Sequence, residues 1–312
     1  MPSHPPLILH HFDESPFSEK IRLAFGLKNL AWTSVLISRI MPRPDLMPMT
    51  GGYRRTPTLQ IGADIYCDSQ CILRELERRF PTPSLHPPGL DGKANNGIGW
   101  GSAMWTDRSF FQNTVNLVFG TLADKVPESF KADREQLRGA KFDVEAMARA
   151  IPQMRDQFRA HLDWIDAQLS DDRSFLFGNA AGLIDINAYM NVWYATGNIA
   201  ALKEAVAEFP RVAAWQQRVK DIGHGTRSEM STADALQIAK DATPQTAIEP
   251  DPRDPNGRRP GYRISVTPDD YGKIAVDGEI VALSPQHVAI RRHDPIADDI
   301  VVHFPRAGFV LT

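Results

Sequence analysis

The sequence predicts three modules in series: an α/β domain over residues 1–82, an all-α domain over 93–240 and a small antiparallel β module over 261–312. Three observations lead there. The chain has 312 residues, more than one ordinary domain uses, with 42% hydrophobic and 23% charged side chains, a globular composition. The hydrophobic period changes twice along the chain, from mixed to helical and then to alternating. The 24 prolines cluster near 2–6, 42–57, 81–88 and 244–268, and two of these clusters fall where the period changes.

The elements follow in order. Leu7 to His11 is a short apolar run that suits a buried strand. Ser15 is a good N-cap and Pro16 suits the first helical position, with Ile21, Ala24 and Phe25 at helical spacing behind them. Trp32 to Ser38 is aromatic and β-branched, so a second strand is expected. Residues 39–55 carry prolines, glycines and arginines and read as an irregular loop. Pro57–Ile61 and Ile65–Cys67 flank Gly62-Ala63-Asp64, a hairpin signal with a three-residue loop. Asp68-Ser69 opens a helix carrying Ile72, Leu73, Leu76 and Phe80, which stops at Pro81. Residues 81–92 read as a linker, and helical periodicity dominates 94–240, with Phe158, Leu162 and Ile165 on one stripe and Val212, Trp215 and Val219 on another. After a second proline-rich linker, Ile264 and Val266 alternate, and Asp277-Gly278 reads as a turn between two short strands. So small a sheet needs support, so it is expected to pack on the helical domain or on a partner.

The charge balance excludes some functions. A formal net charge of −3 argues against nucleic-acid binding and against an anionic membrane surface. No run approaches the ~18 apolar residues of a membrane span. The start Met-Pro-Ser-His-Pro-Pro lacks a basic signal region, so a cytoplasmic location is expected. Two cysteines cannot staple a chain of this length. The nine histidines lack ligand-type spacing, so no metal is expected.

Three motifs carry chemistry. Ser15 begins a helix behind a strand; its oxygen caps the helix while its O–H is free to donate, and the helix dipole favours an anion in front of it. A thiolate placed there has its pKa lowered. The plain alternative is an ordinary capping serine. Thr56-Pro57 opens a strand, and a cis bond there would present the Thr56 backbone for pairing with a bound peptide. The alternative is a trans proline at a sheet edge. Asp68-Ser69 begins another helix, where a carboxylate would meet free N–H groups and Asp68 would meet an ammonium; the alternative, and the simpler reading of the pair taken alone, is an Asx cap.

Taken together and in this order, Ser15-Pro16-Phe17-Ser18, Thr56-Pro57, Asp68-Ser69 and the late segment Phe209 to Val219 resemble the glutathione transferase family over about residues 7–225. The first motif is similar to the serine-type classes, including the tau class. The resemblance implies a thioredoxin-like amino-terminal domain and an all-helical second domain. It implies that Ser15 is catalytic and stabilises the glutathione thiolate, that Thr56 before Pro57 pairs with the cysteinyl part of glutathione, and that Asp68 and Ser69 hold its γ-glutamyl end. Arg55 falls where some members place a lysine near the glycyl carboxylate, with Arg43 in a similar role. Phe12, Trp105 and Phe110 are the expected borders of the electrophile pocket. Ser18, one turn further into the helix, is the lesser candidate for the serine role. Gly182-Leu183-Ile184-Asp185 replaces the usual Ser/Thr capping box, which implies a less rigid helix start.

The reading is a detoxifying transferase that conjugates glutathione, as co-substrate and without metal, to a hydrophobic electrophile, as a homodimer. The alternatives are a non-catalytic glutathione- or protein-binding module that uses the β tail, and a glutathione-dependent isomerase or dehalogenase.

Overall fold

A computed structural model describes residues 5–171 and 173–312. Met1 to His4, which include Pro2 of the first proline cluster, lie outside the described residues. The amino-terminal part runs β1 (Ile8–His11), α1 (Pro16–Leu27), β2 (Ala31–Leu36), α2 (Leu46–Thr50), β3 (Thr58–Ile61), β4 (Asp64–Cys67) and α3 (Ser69–Arg79). The helical part runs α4 (Asn96–Met104), a π-helical turn (Trp105–Phe110), α5 (Phe111–Thr121), α6 (Glu128–Arg138), α7 (Val144–Arg149), α8 (Ile151–Gln168), α9 (Leu183–Asn198), α10 (Ala201–Ala207) and α11 (Pro210–Lys220). The chain ends with β5 (Thr226–Glu229), α12 (Thr232–Asp241), β6 (Arg263–Pro268), β7 (Val276–Ser284), β8 (His287–Asp294), β9 (Asp298–Pro305) and β10 (Phe309–Leu311).

This is the expected architecture, an α/β amino-terminal domain of the thioredoxin-like kind joined to an all-α domain and a carboxy-terminal strand group. The expected tail packing is corrected. The tail strands do not form a separate sheet on the helical domain but extend the amino-terminal sheet. All ten strands form one sheet in the order β10-β6-β7-β8-β9-β4-β3-β1-β2-β5. The seam is a parallel pairing of β4 with β9, with Ile65 opposite Val302. An edge strand offers unpaired N–H and C=O groups, and β9 satisfies them. Residues 226–241 also leave the helices: β5 pairs with β2, and α12 lies on the sheet, where Gln60 Nε2 donates to the Ala235 carbonyl at 2.8 Å.

Alternation along the strands sorts the core into two layers. Leu9, Leu59 and Tyr66 face α1, α3 and the helical domain, in one core with Phe158, Ile186 and Trp215. Ile8, Val35 and Ile65 face the other way, onto Leu46 and Met49 of α2, Ala235 and Ala239 of α12, and the inward residues of the tail strands.

Two local expectations fail for stereochemical reasons. The β3–β4 turn holds two residues rather than three, because Asp64 already pairs with Ile61. Asp277-Gly278 is not a turn but the interior of β7, with Gly278 opposite Ile264. A Cβ on Gly278 would lie 2.8 Å from the Arg291 carbonyl oxygen and 2.9 Å from Ile290 Cβ, so the glycine admits close strand approach. The loop over 39–55 also hides the short helix α2.

The start of α9 departs from the expected looseness. The buried Asp185 accepts from the N–H groups of Leu176 at 2.8 Å and Gly182 at 2.9 Å, and from Trp215 Nε1 at 2.8 Å. A Cβ on Gly182 would sit 2.9 Å from Pro87 Cδ, so a serine cap has no room there. Among the described residues, no helix is long and apolar enough to cross a membrane.

Candidate active site

Ser15 occupies the N-cap of α1, and its Oγ accepts from the Ser18 N–H at 3.2 Å. The oxygen is thus spent on the cap while the hydroxyl hydrogen remains to donate. Ser15 lines a cleft of about 800 Å³ between the α/β and helical domains. Ser18 lies in the same turn but is fully buried, with its Oγ among the buried atoms that make no hydrogen bond. It does not border the cleft.

The Thr56–Pro57 bond is cis. Thr56 lines the same cleft as Ser15, and neither its backbone N–H nor its carbonyl is paired among the described residues. Thr56 also borders an adjoining recess of about 80 Å³, together with Asp68, Ser69 and Gln70. Asp68 caps α3, accepting from the Gln70 N–H at 2.9 Å. Its backbone sits at φ 77°, ψ 139°. Residues other than glycine rarely occupy this region, at a cost of about 1–3 kcal/mol. Burial pushes the Asp68 carboxyl above the ordinary range, against the opposing pull of the Gln70 N–H and Arg55.

Both expected arginines line the cleft, and Arg55 also borders the recess; each is held by protein partners. Arg43 turns into the 38–56 loop, donating to the carbonyls of Ser38 and Arg54 at 2.8 Å each and to Thr56 Oγ1 at 3.2 Å. Burial lowers its pKa to about 10. Arg55 is held by the tail, where its Nη2 donates to Asp270 Oδ1 and to the Tyr271 carbonyl. Its guanidinium lies 4.0 Å from the Tyr271 ring centroid.

Of the expected pocket aromatics, Phe12 lines the cleft and the other two do not. Phe110 is fully buried and stacks on Trp105 at 5.8 Å and near Phe158 at 5.9 Å. Trp105 donates Nε1–H to His161 Nδ1 at 3.0 Å. The π-helical turn ends at Phe110, and the next residue, Phe111, faces the cleft and packs edge-on to Phe17 at 4.7 Å. Alternate registers of this irregular turn cannot be told apart from a helical stripe.

Several lining residues carried no sequence signal. Asp270 and Tyr271 border both cavities, and Gly308 and Phe309 border the recess, all from the tail. They lie more than two hundred positions from Arg55, and the β4–β9 seam joins the tail that carries them to the amino-terminal sheet. Asp107 borders both cavities and is held by the buried Lys20, whose Nζ reaches its two oxygens at 2.6 and 2.7 Å. Phe119, Phe130 and Phe142 form a mutual aromatic cluster on the helical wall. Tyr194 also lines the cleft, its phenol pushed up to about 12 by burial.

Cys67 and Cys71 are free and buried, and burial raises both thiols well above their usual value. Neither is placed to act as a nucleophile. Cross-strand pairing brings His293 opposite Asp299, with Asp298 alongside, a cluster whose ligand-type atoms lie within 4.8 Å of one another. The trio is exposed, as ordinary surface ion pairs are, and it lies outside the cleft.

Comparison with known proteins identifies the two domains that form the cleft. Residues 9–84 match the model of the glutathione S-transferase N-terminal domain, and residues 146–218 match that of the C-terminal domain. A GST-like protein from Pseudomonas syringae has a solved structure with TM-score 0.80 and 35% identity, covering 98% of each chain, tail included. A glutathione S-transferase from Methylobacterium radiotolerans, solved in complex with glutathione sulfonate, has TM-score 0.51 and 21% identity over 72% of this chain and 97% of its own. A maleylpyruvate isomerase from Ralstonia sp. is 29% identical over 87 residues, which are 27% of this chain. The chain spans 41% of the length of that curated relative. Two family domains in sequence, a full-length relative and a cleft that joins them place this chain in the glutathione S-transferase family, as a transferase-like enzyme.

Proposed function

We propose that the chain conjugates the thiolate of glutathione to an electrophilic carbon, with Ser15 as the catalytic hydrogen-bond donor, in the manner of the serine-type classes such as tau. The observation that carries this reading is the sharing of one cleft by the Ser15 hydroxyl at the start of α1 and the Thr56 backbone beside Pro57. The Ser15 O–H and the positive end of α1 both favour a sulfur anion, so the thiol of the bound tripeptide ionises near neutral pH. The Thr56 N–H and carbonyl pair with the cysteinyl backbone. The Ser69 hydroxyl receives the γ-glutamyl carboxylate, and Asp68 its ammonium, which restores the carboxylate form that burial disfavours. Holding thiolate and electrophile together supplies much of the rate. Arg55, clamped by Asp270, orders the rim of the site. Homodimer formation, a cytoplasmic location and a detoxifying role belong to this same reading.

The test is Ser15→Ala in a conjugation assay with titration of bound glutathione. Turnover falls about 10- to 100-fold, and the acid limb of the kcat/KM profile moves to higher pH. Glutathione affinity changes little. Unchanged turnover overturns the assignment.

A second reading, glutathione-dependent isomerisation, is favoured by the maleylpyruvate isomerase relative. It is distinguished by product: isomerisation regenerates glutathione, whereas conjugation consumes it.

A further inference from the structure

The chain as a whole is slightly acidic, yet cations outnumber carboxylates along its cleft. Eight basic side chains and three carboxylates line the cleft. All three carboxylates are already paired: Asp270 with Arg55, Asp107 with Lys20, and Glu14 with Arg39 at 3.2 Å; of the lining cations, Arg108 is also paired, with Asp269 at 3.2 Å. On the helical wall, Arg134 and Arg138 stand one turn apart on α6, and Lys125 lies just before that helix. Arg134 and Arg54 share a single carboxylate, Asp133, at 2.9 and 2.6 Å. Lys125 and Arg138 have no carboxylate within ion-pair distance among the described residues, and Arg138 lies 5.5 Å from the Phe142 ring centroid. The neighbouring surface is apolar, built from Phe119, Phe130 and Phe142. Burial depresses the Arg134 pKa, with Asp133 opposing and Arg54 adding repulsion; one carboxylate shared by two guanidiniums, beside Lys125 and Arg138, leaves this wall net positive.

We propose that the second substrate is an amphipathic carboxylate, an apolar or aromatic body on the phenylalanine cluster with its anionic end against Arg134 and Arg138. This rests on the reading of the cleft as a glutathione transferase site and names its substrate class. Glutathione does not account for the charge. In that reading its γ-glutamyl carboxylate goes to Ser69 on the α/β side, whereas Lys125, Arg134 and Arg138 belong to the helical wall.

The test compares two aryl chlorides of nearly one shape, 4-chloro-3,5-dinitrobenzoate and its neutral methyl ester. With either, the glutathione sulfur forms a bond to the chlorine-bearing carbon. The C–Cl bond breaks, chloride leaves with the electron pair, and the thiol proton passes to solvent. After each rate is divided by its uncatalysed rate, the carboxylate is preferred about 10-fold or more in kcat/KM. Arg138→Gln lowers that preference about 10-fold, mainly through KM, and added salt erodes it. Equal normalised rates, or a preference untouched by Arg138→Gln, overturn the proposal. Calorimetric titration with 3,5-dinitrobenzoate and its ester, with glutathione absent, decides the same point without turnover. Equal affinity for the two overturns it. Titration with glutathione alone tests the underlying reading, so loss of that reading and loss of the anion preference are seen separately.

Discussion

At the residue scale, Asp185 shows how one carboxylate replaces a missing cap. It accepts three hydrogen bonds in a fully buried site, two from backbone N–H groups and one from Trp215. Desolvation outweighs these bonds and raises its pKa to about 6. Asp185→Ala leaves three buried donors unpaired and lowers stability by about 3 kcal/mol, read as a drop in the urea midpoint. The sign of its pH effect is set by the raised value: its contribution is full below about pH 4 and fades as pH rises through 6. Ser15 belongs to the same scale and was legible in the sequence, because an N-cap is decided by residues three apart. The Asp68 cap of α3 was legible for the same reason, whereas the cis form of Thr56–Pro57 was not, because a proline at a strand start suits either isomer. The burial of Phe110 was not, because the π-helical turn shifts the face that helical spacing assigns.

At the element scale, local pattern served well where an element carries its own boundary signals. The helices α1, α3 and α11 each start at a capping residue or a proline that the sequence displays. The element α2 is five residues long with an internal Pro48, too short and too irregular to leave a period. The strand β7 carries an Asp-Gly pair whose hairpin meaning is overruled by strand packing. The β4–β9 seam is held by a buried polar network that no pattern foretells. Asp64 accepts from the Gln245 N–H at 2.7 Å and meets His303 Nε2 at 3.1 Å, and His303 stacks on Tyr66 at 4.1 Å. Asp64→Ala strips the acceptor from this seam and costs about 3 kcal/mol or more. Limited proteolysis then cuts faster within residues 243–260, and unchanged cleavage counts against the seam as the anchor of the tail.

At the scale of the whole molecule, acid is the condition that tests the core. His10, His11 and His287 are pressed down by desolvation to about 4, 3 and 3 respectively. A histidine with a lowered folded pKa stabilises fully above 6.5 and loses that contribution as pH falls toward the folded value. Between pH 6.5 and 4.5 each shift changes stability by up to about 3 kcal/mol. Three such groups outweigh the opposite slope of Asp185. The urea midpoint therefore falls between pH 6.5 and 4.5, and the fall is smaller in His287→Gln. A flat midpoint across that window contradicts the burial of these rings in neutral form.

The continuous sheet also sets an order of events during synthesis. The strand β4 is made early, yet its parallel neighbour β9 lies more than two hundred residues later. While the ribosome elongates the chain, the β4 edge has no partner, and non-local pairing of this kind is slow. The nascent amino-terminal half is therefore an open-edged intermediate until the last fifty residues emerge. A ribosome stalled in the 243–260 linker leaves a product that chaperones must hold, rather than a finished two-domain enzyme.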